Sequence, residues 1–285
     1  MKISFSTLAC PDWNLQQALD AAVRAGYDGL ELRFLEGEDS LWKLPAFRGA
    51  GLRETCKCVA DSGLRICCVD TSCRFDSQER SEREHWIDEG MRMADLAAQL
   101  SAPGIRVFGD RIQPGSSREV TRGWIVDSVN VLAEEIAISG VEVWLETHGD
   151  FSCTSEVQAI LADCPRLRVL WDPVSAFVEC EEHPLRNGSE LGPAIRHVHI
   201  KDIRMVNEKW VPILTGSGEF PMGEMRRALD AIQYDGFLSF EWEKKWHPEI
   251  DPPEIAIPHF AEWLRKTWGS NAAHSESASI SGVLS

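Results

Sequence analysis

Short apolar segments alternate with longer stretches of helical periodicity through most of this chain, and this alternation constrains the fold more than any other feature. Apolar segments that are each followed by an amphipathic helix form parallel strands, because the helix carries the chain back along the sheet. Eight such units between residues 1 and 268 are enough to close a barrel. The predicted strands are Lys2–Thr7, Gly29–Phe34, Leu64–Asp70, Gly104–Phe108, Val141–Glu146, Val169–Asp172, Arg196–Ile200 and Phe237–Glu243.

We therefore predict an α/β fold with one (β/α)8 barrel domain over residues 1–268. The segment 269–285 is rich in Ser and Ala, has no helical period and is predicted to be a disordered tail. The region 180–192 predicts a helix or an irregular insert. The connection containing Gly216-Ser-Gly218 lacks the GxxxxGK[ST] pattern of a phosphate-binding loop, so a plain turn is the preferred interpretation.

The chain has 285 residues and is strongly acidic, with a formal net charge of −16. Proteins that bind nucleic acid usually carry a basic surface, so this charge argues against a nucleic-acid partner. No apolar run approaches the length of a membrane span, and the N-terminus lacks the apolar region of a signal peptide. These features predict a cytoplasmic protein without a membrane partner.

The cysteines are nine in number, and no two of them form a CxxC pair. Several lie in apolar segments, such as Ile66-Cys-Cys-Val69. An odd number without regular spacing is typical of small buried side chains in a reducing compartment. The sequence therefore predicts no disulfide framework.

Four predicted strands end in side chains that bind divalent metals, namely Glu146, Asp172, His199 and Glu241. Barrel enzymes carry their active sites at the C-terminal ends of the strands, where these side chains would meet. Three carboxylates with one imidazole suit Mn²⁺, Zn²⁺, Mg²⁺ or Co²⁺. The sequence predicts one such divalent ion at this end of the barrel.

Further inward-facing side chains near the strand ends are candidates for substrate binding, and for each a second interpretation stays open. Glu243 lies two residues beyond Glu241 on the same face and competes with it as a metal ligand. Lys201 could bind an anionic group of the substrate or pair with nearby carboxylates. His148 could contact substrate or lie in a loop. The candidates are Arg33, His148, Lys201 and Glu243.

The interior of the barrel below these ends is also predicted to be polar. Glu31 and Arg33 share a face of the second strand, so a buried ion pair between them is an alternative to substrate binding by Arg33. His197 lies one layer below the strand end and is expected to pack or to support the site. Trp144 shares the inward face with Glu146 and could form the floor of the cavity.

Several motifs together resemble the xylose isomerase-like TIM barrel superfamily, in particular its sugar phosphate isomerase/epimerase group, over roughly Met1 to Trp268. In this family the strand-end Glu, Asp, His and Glu bind the metal, which implies that role for Glu146, Asp172, His199 and Glu241. The motifs are Ala25-Gly-Tyr-Asp-Gly-Leu-Glu-Leu-Arg33, Leu145-Glu-Thr-His148, Leu170-Trp-Asp-Pro173, His197-Val-His-Ile-Lys-Asp202, Gly216-Ser-Gly-Glu219 and Ser239-Phe-Glu-Trp-Glu243.

The resemblance implies a reaction as well as a fold. Glu146 and Glu241 would act as base and acid in an order that the sequence leaves open, moving a proton at the carbon next to a carbonyl through a metal-stabilised enediolate. The substrate would be a sugar, a sugar phosphate or a polyol-derived ketose. One position departs from the family, since epimerases often carry a histidine three residues after the aspartate ligand, where this chain has Ser175.

Three alternatives to the isomerase remain. The first is a dehydratase of the inosose or dehydroshikimate type, which also begins by removing a proton next to a carbonyl. The second is a barrel that binds a sugar without turnover. The third, an endonuclease IV-like phosphodiesterase, is disfavoured because it needs additional metal ligands and a basic groove. Apolar residues near the C-terminal helix are compatible with a homodimer.

Overall fold

The computed structural model describes residues 1–269, so all but the first residue of the predicted disordered tail lies outside the described residues. Eight parallel strands form a closed barrel, which confirms the predicted fold class. The strands are β1 (Lys2–Ser6), β2 (Gly29–Leu32), β3 (Arg65–Arg74), β4 (Gly104–Phe108), β5 (Glu142–Glu146), β6 (Arg168–Trp171), β7 (Ile195–Ile200), the hairpin β8 (Asp202–Val206) and β9 (Lys209–Ile213), and β10 (Phe237–Phe240). Their order around the barrel is β1-β10-β7-β6-β5-β4-β3-β2, so each barrel strand pairs with the next one along the chain.

The helices connect the strands and pack their apolar faces against the outside of the barrel, so the main hydrophobic core lies between the two layers. Helix α1 shows why the boundaries fall where they do. Asn14 and Gln17 form a capping box at its start, and Gly26 ends it at a φ of 71°. The helices are α1 (Leu15–Ala25), α2 (Gly49–Ser62), α3 (Arg80–Gln99), α4 (Arg118–Glu135), α5 (Thr154–Asp163), α6 (Pro173–Cys180), α7 (Pro184–Leu191), α8 (Met222–Ala231) and α9 (Pro253–Trp268).

A second, small apolar cluster fills the inside of the barrel below the strand ends. It consists of Cys68, Trp144 and Leu170. The indole of Trp144 stacks on His197 with ring centroids 5.7 Å apart, so it points inward, as the strand alternation predicts. Gly104 on β4 makes room for it, because a Cβ at that position would lie 2.2 Å from the indole.

The connection after β6 contains a helix that the sequence analysis did not predict. Helix α6 begins directly after Asp172, which caps it, and has Pro173 in its first turn. An Asp followed by Pro is a recognised helix start, so this signal was present in the sequence. Residues 180–192 then hold α7, which agrees with one of the two alternatives for that region.

The prediction that the cysteines form no disulfide is wrong for one pair. Cys153 and Cys180 are joined by a disulfide with a Cα–Cα distance of 5.6 Å. Cys153 directly precedes α5 and Cys180 ends α6, so the bond ties together the connections that follow β5 and β6. Because the two cysteines are 27 residues apart, the sequence alone gives no sign that they meet.

No helix within residues 1–269 is both long enough and apolar enough to cross a membrane.

Candidate metal centre and substrate cavity

The four predicted metal ligands converge at the C-terminal end of the barrel. Glu146, Asp172, His199 and Glu241 are all buried, and each offers one ligand atom within 4.8 Å of the others. They come from β5, β6, β7 and β10 or from the residue just after the strand, and these four strands are neighbours in the barrel. Their role as metal ligands stays a prediction, although the sequence identified all four side chains that meet here.

His199 presents one nitrogen to this cluster and the other to a carboxylate below it. Its Nδ1 is buried, has no hydrogen-bond partner among the described residues, and lies 3.5 Å from Glu146 Oε1 and 3.3 Å from Glu241 Oε2. Its Nε2 lies 3.2 Å from Glu31 Oε1. Burial opposes protonation of His199, but the carboxylates of Glu241, Glu31 and Glu146 raise its pKa well above the ordinary value. An unpaired, inward-facing Nδ1 fits a metal ligand.

Glu31 pairs with two histidines and not with Arg33, so the structure does not show the Glu31–Arg33 ion pair that was one of the two open interpretations. Nε2–H of His197 donates to Glu31 Oε2 at 2.6 Å, and all three side chains of this lower group are buried. Burial disfavours the charged form of Glu31, yet contact with His199 and His197 holds its pKa well below the ordinary value. His197 therefore supports the site from one layer down, as one of its two interpretations expected.

Asp172 is held by the helix that begins beside it. Its Oδ1 accepts the backbone N–H of Val174 at 2.9 Å, and its Oδ2 accepts the hydroxyl of Ser175 at 2.9 Å. The helix N-terminus also stabilises the negative charge. Ser175, the position at which the sequence departs from the motif it resembles, orients the aspartate through its side chain.

Lys201 lies among three carboxylates at the edge of the cluster. Its Nζ is 2.9 Å from Asp172 Oδ2, 2.6 Å from Glu241 Oε2 and 2.6 Å from Glu243 Oε1. Glu243 is 23% exposed while Glu241 is 7% exposed, so Glu241 is the member of the pair that reaches the buried cluster. Burial opposes the charge on Glu241, but His199 and Lys201 hold its pKa well below the ordinary value. Of the two interpretations of Lys201, the structure shows the pairing with carboxylates. Lys201 also lines the cavity.

Arg106 and Asp70 belong to the site but were not identified from the sequence. Arg106 Nη1 donates to Glu146 Oε2 at 2.8 Å, and its Nη2 lies 3.4 Å from Asp70 Oδ2. Burial opposes the charge on Glu146, but Arg106 and then His199 lower its pKa. Burial, and next the nearby Glu31, raise the pKa of Asp70 well above its ordinary value. The signal for Arg106 was its position in the otherwise apolar strand Gly-Ile-Arg-Val-Phe, where alternation points it inward.

The cluster opens into a cavity of about 350 Å³, which suits a small ligand. All four predicted substrate-binding side chains line it. His148 Nδ1 lies 3.2 Å from Asp110 Oδ1, and the ring of His148 is 4.8 Å from that of Phe108. The charged and titratable side chains of the lining include Arg33, Arg74, Arg106, His148, Lys201 and Glu243.

The Gly216-Ser-Gly218 connection wraps around a side chain of the protein itself. The N–H groups of Gly216 and Gly218 donate to Asp202 Oδ2 at 2.8 and 2.9 Å. These donors are therefore used within the fold, in agreement with the interpretation as a turn. A Cβ on Gly218 would lie 2.0 Å from Asp202, which explains the glycine there.

The family described as "Xylose isomerase-like TIM barrel" matches residues 19–267 of this chain. Since that is most of the sequence, the chain belongs to the xylose isomerase-like TIM barrel family. No curated protein sequence matches it significantly.

Solved structures with the same fold include members of two reaction classes. AsbF from Bacillus anthracis, a probable 3-DHS dehydratase, has a TM-score of 0.75 at 20% identity, over 93% of this chain and 98% of that chain. The E. coli 3-keto-D-glucoside 4-epimerase YcjR has a TM-score of 0.76 at 19% identity, over 93% and 99%. The IOLI protein with a bound zinc atom has a TM-score of 0.78 at 16% identity, over 93% and 97%. At these identities the likeness shows the fold alone.

Proposed function

We propose that this protein is an enzyme that isomerises or epimerises a small ketose with the help of one divalent metal ion. The substrate would be a sugar, a sugar phosphate or a polyol-derived ketose, and the ion would be Mn²⁺, Zn²⁺, Mg²⁺ or Co²⁺. The observation that carries the proposal is the convergence of Glu146, Asp172, His199 and Glu241 on one buried point with an unpartnered imidazole nitrogen.

The donor set fits such an ion. Three carboxylates and one imidazole are the ligands that these metals accept, and the ion would supply a Lewis acid for the ketone oxygen. Asp172 is fixed by its helix and His199 by Glu31, so two of the four donors are held in place before any ion binds. Among the solved structures, the IOLI protein binds zinc.

The proton transfer falls to the two glutamates. Glu146 beside Arg106 and Glu241 beside Lys201 each have a lowered pKa, so each is ionised near neutral pH and able to accept a proton. The two carboxylates come from β5 and from the end of β10, which are separated in the barrel by β6 and β7. One carboxylate that takes and returns a proton is enough for isomerisation, and epimerisation requires the second one on the other side of the substrate.

A dehydratase is the second candidate, and Ser175 is the residue that favours it. Its hydroxyl is used to hold Asp172, so the imidazole that epimerases of the family often present to the sugar is absent from this position. Dehydration begins with the same removal of a proton next to a carbonyl. Loss of water from the substrate distinguishes the two reactions by mass.

The test is exchange of the α-proton in D₂O, followed by NMR, with metal-loaded protein and a panel of ketoses and inososes. Incorporation of deuterium without loss of water supports the isomerase, and loss of about 18 mass units by elimination of water supports the dehydratase. Glu146→Gln should abolish exchange while the protein stays folded, and the exposed Glu135→Gln serves as the matched control. Near-wild-type exchange by Glu146→Gln would contradict the proton-transfer role. Sugar binding without any exchange would favour the non-catalytic barrel.

A further inference from the structure

The cavity has two walls of opposite charge. The acidic wall is formed by the side chains at the ends of β5, β6, β7 and β10. The opposite wall carries arginines from three adjacent strands, with Arg33 directly after β2, Arg74 at the end of β3 and Arg106 in β4. The proposed function uses the acidic wall and leaves most of the arginine wall without a role.

Arg106 is already paired with Glu146 at 2.8 Å, whereas Arg33 has no carboxylate at hydrogen-bond distance among the described residues. Arg33 is only 6% exposed. Its Nη2 donates to Ser72 Oγ at 2.8 Å, whereas its Nη1 has no hydrogen-bond partner among residues 1–269. A buried guanidinium whose N–H groups lack an acceptor destabilises the protein unless a ligand supplies that acceptor.

The carboxylate nearest to Arg33 does not satisfy it. Asp39 Oδ2 lies 3.9 Å from Arg33 Nη1, beyond hydrogen-bond distance, and this oxygen already accepts the hydroxyl of Ser72 at 2.5 Å. Ser72 and Asp39 thus hold the guanidinium in place from one side. Arg33 also lines the cavity.

Two more cations lie near Arg33. Arg74 is exposed, lines the same cavity and has no ion pair within the described part of the chain. Arg33 and Lys245 both lie over the ring of Phe34, with the guanidinium carbon 4.5 Å and Nζ 4.9 Å from the ring centroid. In a chain with a net charge of −16, a group of cations in which only Arg33 has a carboxylate nearby, at 3.9 Å, is a specific feature of this surface.

We propose that the substrate carries an anionic group, a carboxylate or a phosphate, at the end away from its ketone, and that Arg33 binds this group with help from Arg74. The inference rests on the proposed function, because the ketone end is placed at the acidic wall. A guanidinium matches both anions through two parallel N–H groups, and its charge strengthens each bond. A cavity of about 350 Å³ holds one small molecule that reaches both walls.

The test compares three ketoses that share a carbon skeleton: D-fructose, its carboxylate form D-fructuronate, and D-fructose 6-phosphate. Exchange of the α-proton is measured for wild type, Arg33→Met, Arg74→Met and the control Arg53→Met, which removes the same charge from an exposed position on α2. We expect Arg33→Met to lower kcat/KM for the preferred anionic ketose about ten- to hundredfold more than for the neutral one. A preference for fructuronate identifies a carboxylate, and a preference for the phosphate identifies a phosphoryl group.

A binding measurement separates failure of this inference from failure of the proposed function. Calorimetry with D-sorbitol, D-gluconate and D-sorbitol 6-phosphate requires no turnover and uses the same metal-loaded proteins. Tighter binding of an anion than of sorbitol, weakened in Arg33→Met and in the exposed variant Arg74→Met but not in Arg53→Met, supports the anionic subsite even if no ketose exchanges. Equal binding of all three ligands, or equal losses for neutral and anionic ligands in Arg33→Met, overturns it. Thermal unfolding of each variant checks that the fold is kept.

Discussion

Glu31 Oε1 lies 3.2 Å from Nε2 of His199, on the side of the imidazole opposite to the proposed metal ligands. When a metal ion displaces the proton on Nδ1, a carboxylate at Nε2 would keep the other proton there and leave the lone pair of Nδ1 directed at the cluster. Glu31 comes from β2 and His199 from β7, so the pair spans the interior of the barrel. The buried layer of polar side chains below the strand ends thus positions the side chains of the proposed metal site.

Glu31 is not one of the four proposed metal ligands, but its removal should still weaken metal binding. We expect Glu31→Ala to lower the affinity for Mn²⁺ or Zn²⁺ about ten- to hundredfold, because His199 loses the partner that fixes its tautomer and orientation. Glu31→Gln keeps an acceptor oxygen, so its metal affinity should fall less than that of Glu31→Ala. The measurement is competition with a chelating dye. Equal affinities in wild type and Glu31→Ala would show that His199 is positioned by other contacts.

Metal analysis of the purified protein tests the site itself. We expect about one divalent ion per chain from a single cluster of four donors, and its loss in both His199→Ala and Glu146→Ala. Binding should also raise the melting temperature of the wild type, because the ion binds only the folded protein. Exposed His85→Ala is a suitable control. If His199→Ala retained the ion, the metal would have to bind at a different site.

Much of the fold and of the candidate site could be predicted from the sequence because both follow from strand alternation. Glu146, Asp172 and His199 stand where apolar strands end, and the closed barrel brings those ends together. What the sequence could not supply was the partner of each inward side chain. A pair with Arg33, two residues away, was one interpretation of Glu31, whereas Glu31 pairs with histidines 166 and 168 residues further along the chain. Such contacts depend on barrel closure and register, which local patterns do not encode.

The carboxyl group of Asp39 gives a pH-dependent contribution to stability. Partial burial opposes its charge, but the hydroxyl of Ser72 and the guanidinium of Arg33 lower its pKa below the ordinary value of 3.8. A lowered folded-state pKa stabilises the protein above the unfolded-state value, and the contribution is lost as the pH falls through the folded-state pKa. The free energy of unfolding should therefore fall more steeply between about pH 5 and pH 3 in wild type than in Asp39→Asn. Ser72→Ala should lie between them, and parallel curves would contradict the assignment.

The disulfide between Cys153 and Cys180 should contribute to stability by restricting the unfolded chain. For a loop of 27 residues the expected contribution is about 3.5 kcal/mol. Denaturant unfolding of Cys153→Ser, compared with wild type under non-reducing conditions, measures it. The control is Cys56→Ser, which removes a partly exposed free thiol. The unreduced protein can also be unfolded, alkylated and analysed by mass spectrometry. Alkylation of all nine cysteines would contradict the bond.

Arg106 should contribute to stability, because it neutralises the buried carboxylate of Glu146. Arg106→Met leaves Glu146 without its cation, and a broken buried ion pair costs about 3–5 kcal/mol. We expect a loss of this size in the free energy of unfolding of the metal-free protein, measured in urea. Arg106→Lys keeps the charge, so it should lose less. An Arg106→Met variant as stable as wild type would contradict the prediction, because the buried carboxylate would then not depend on Arg106.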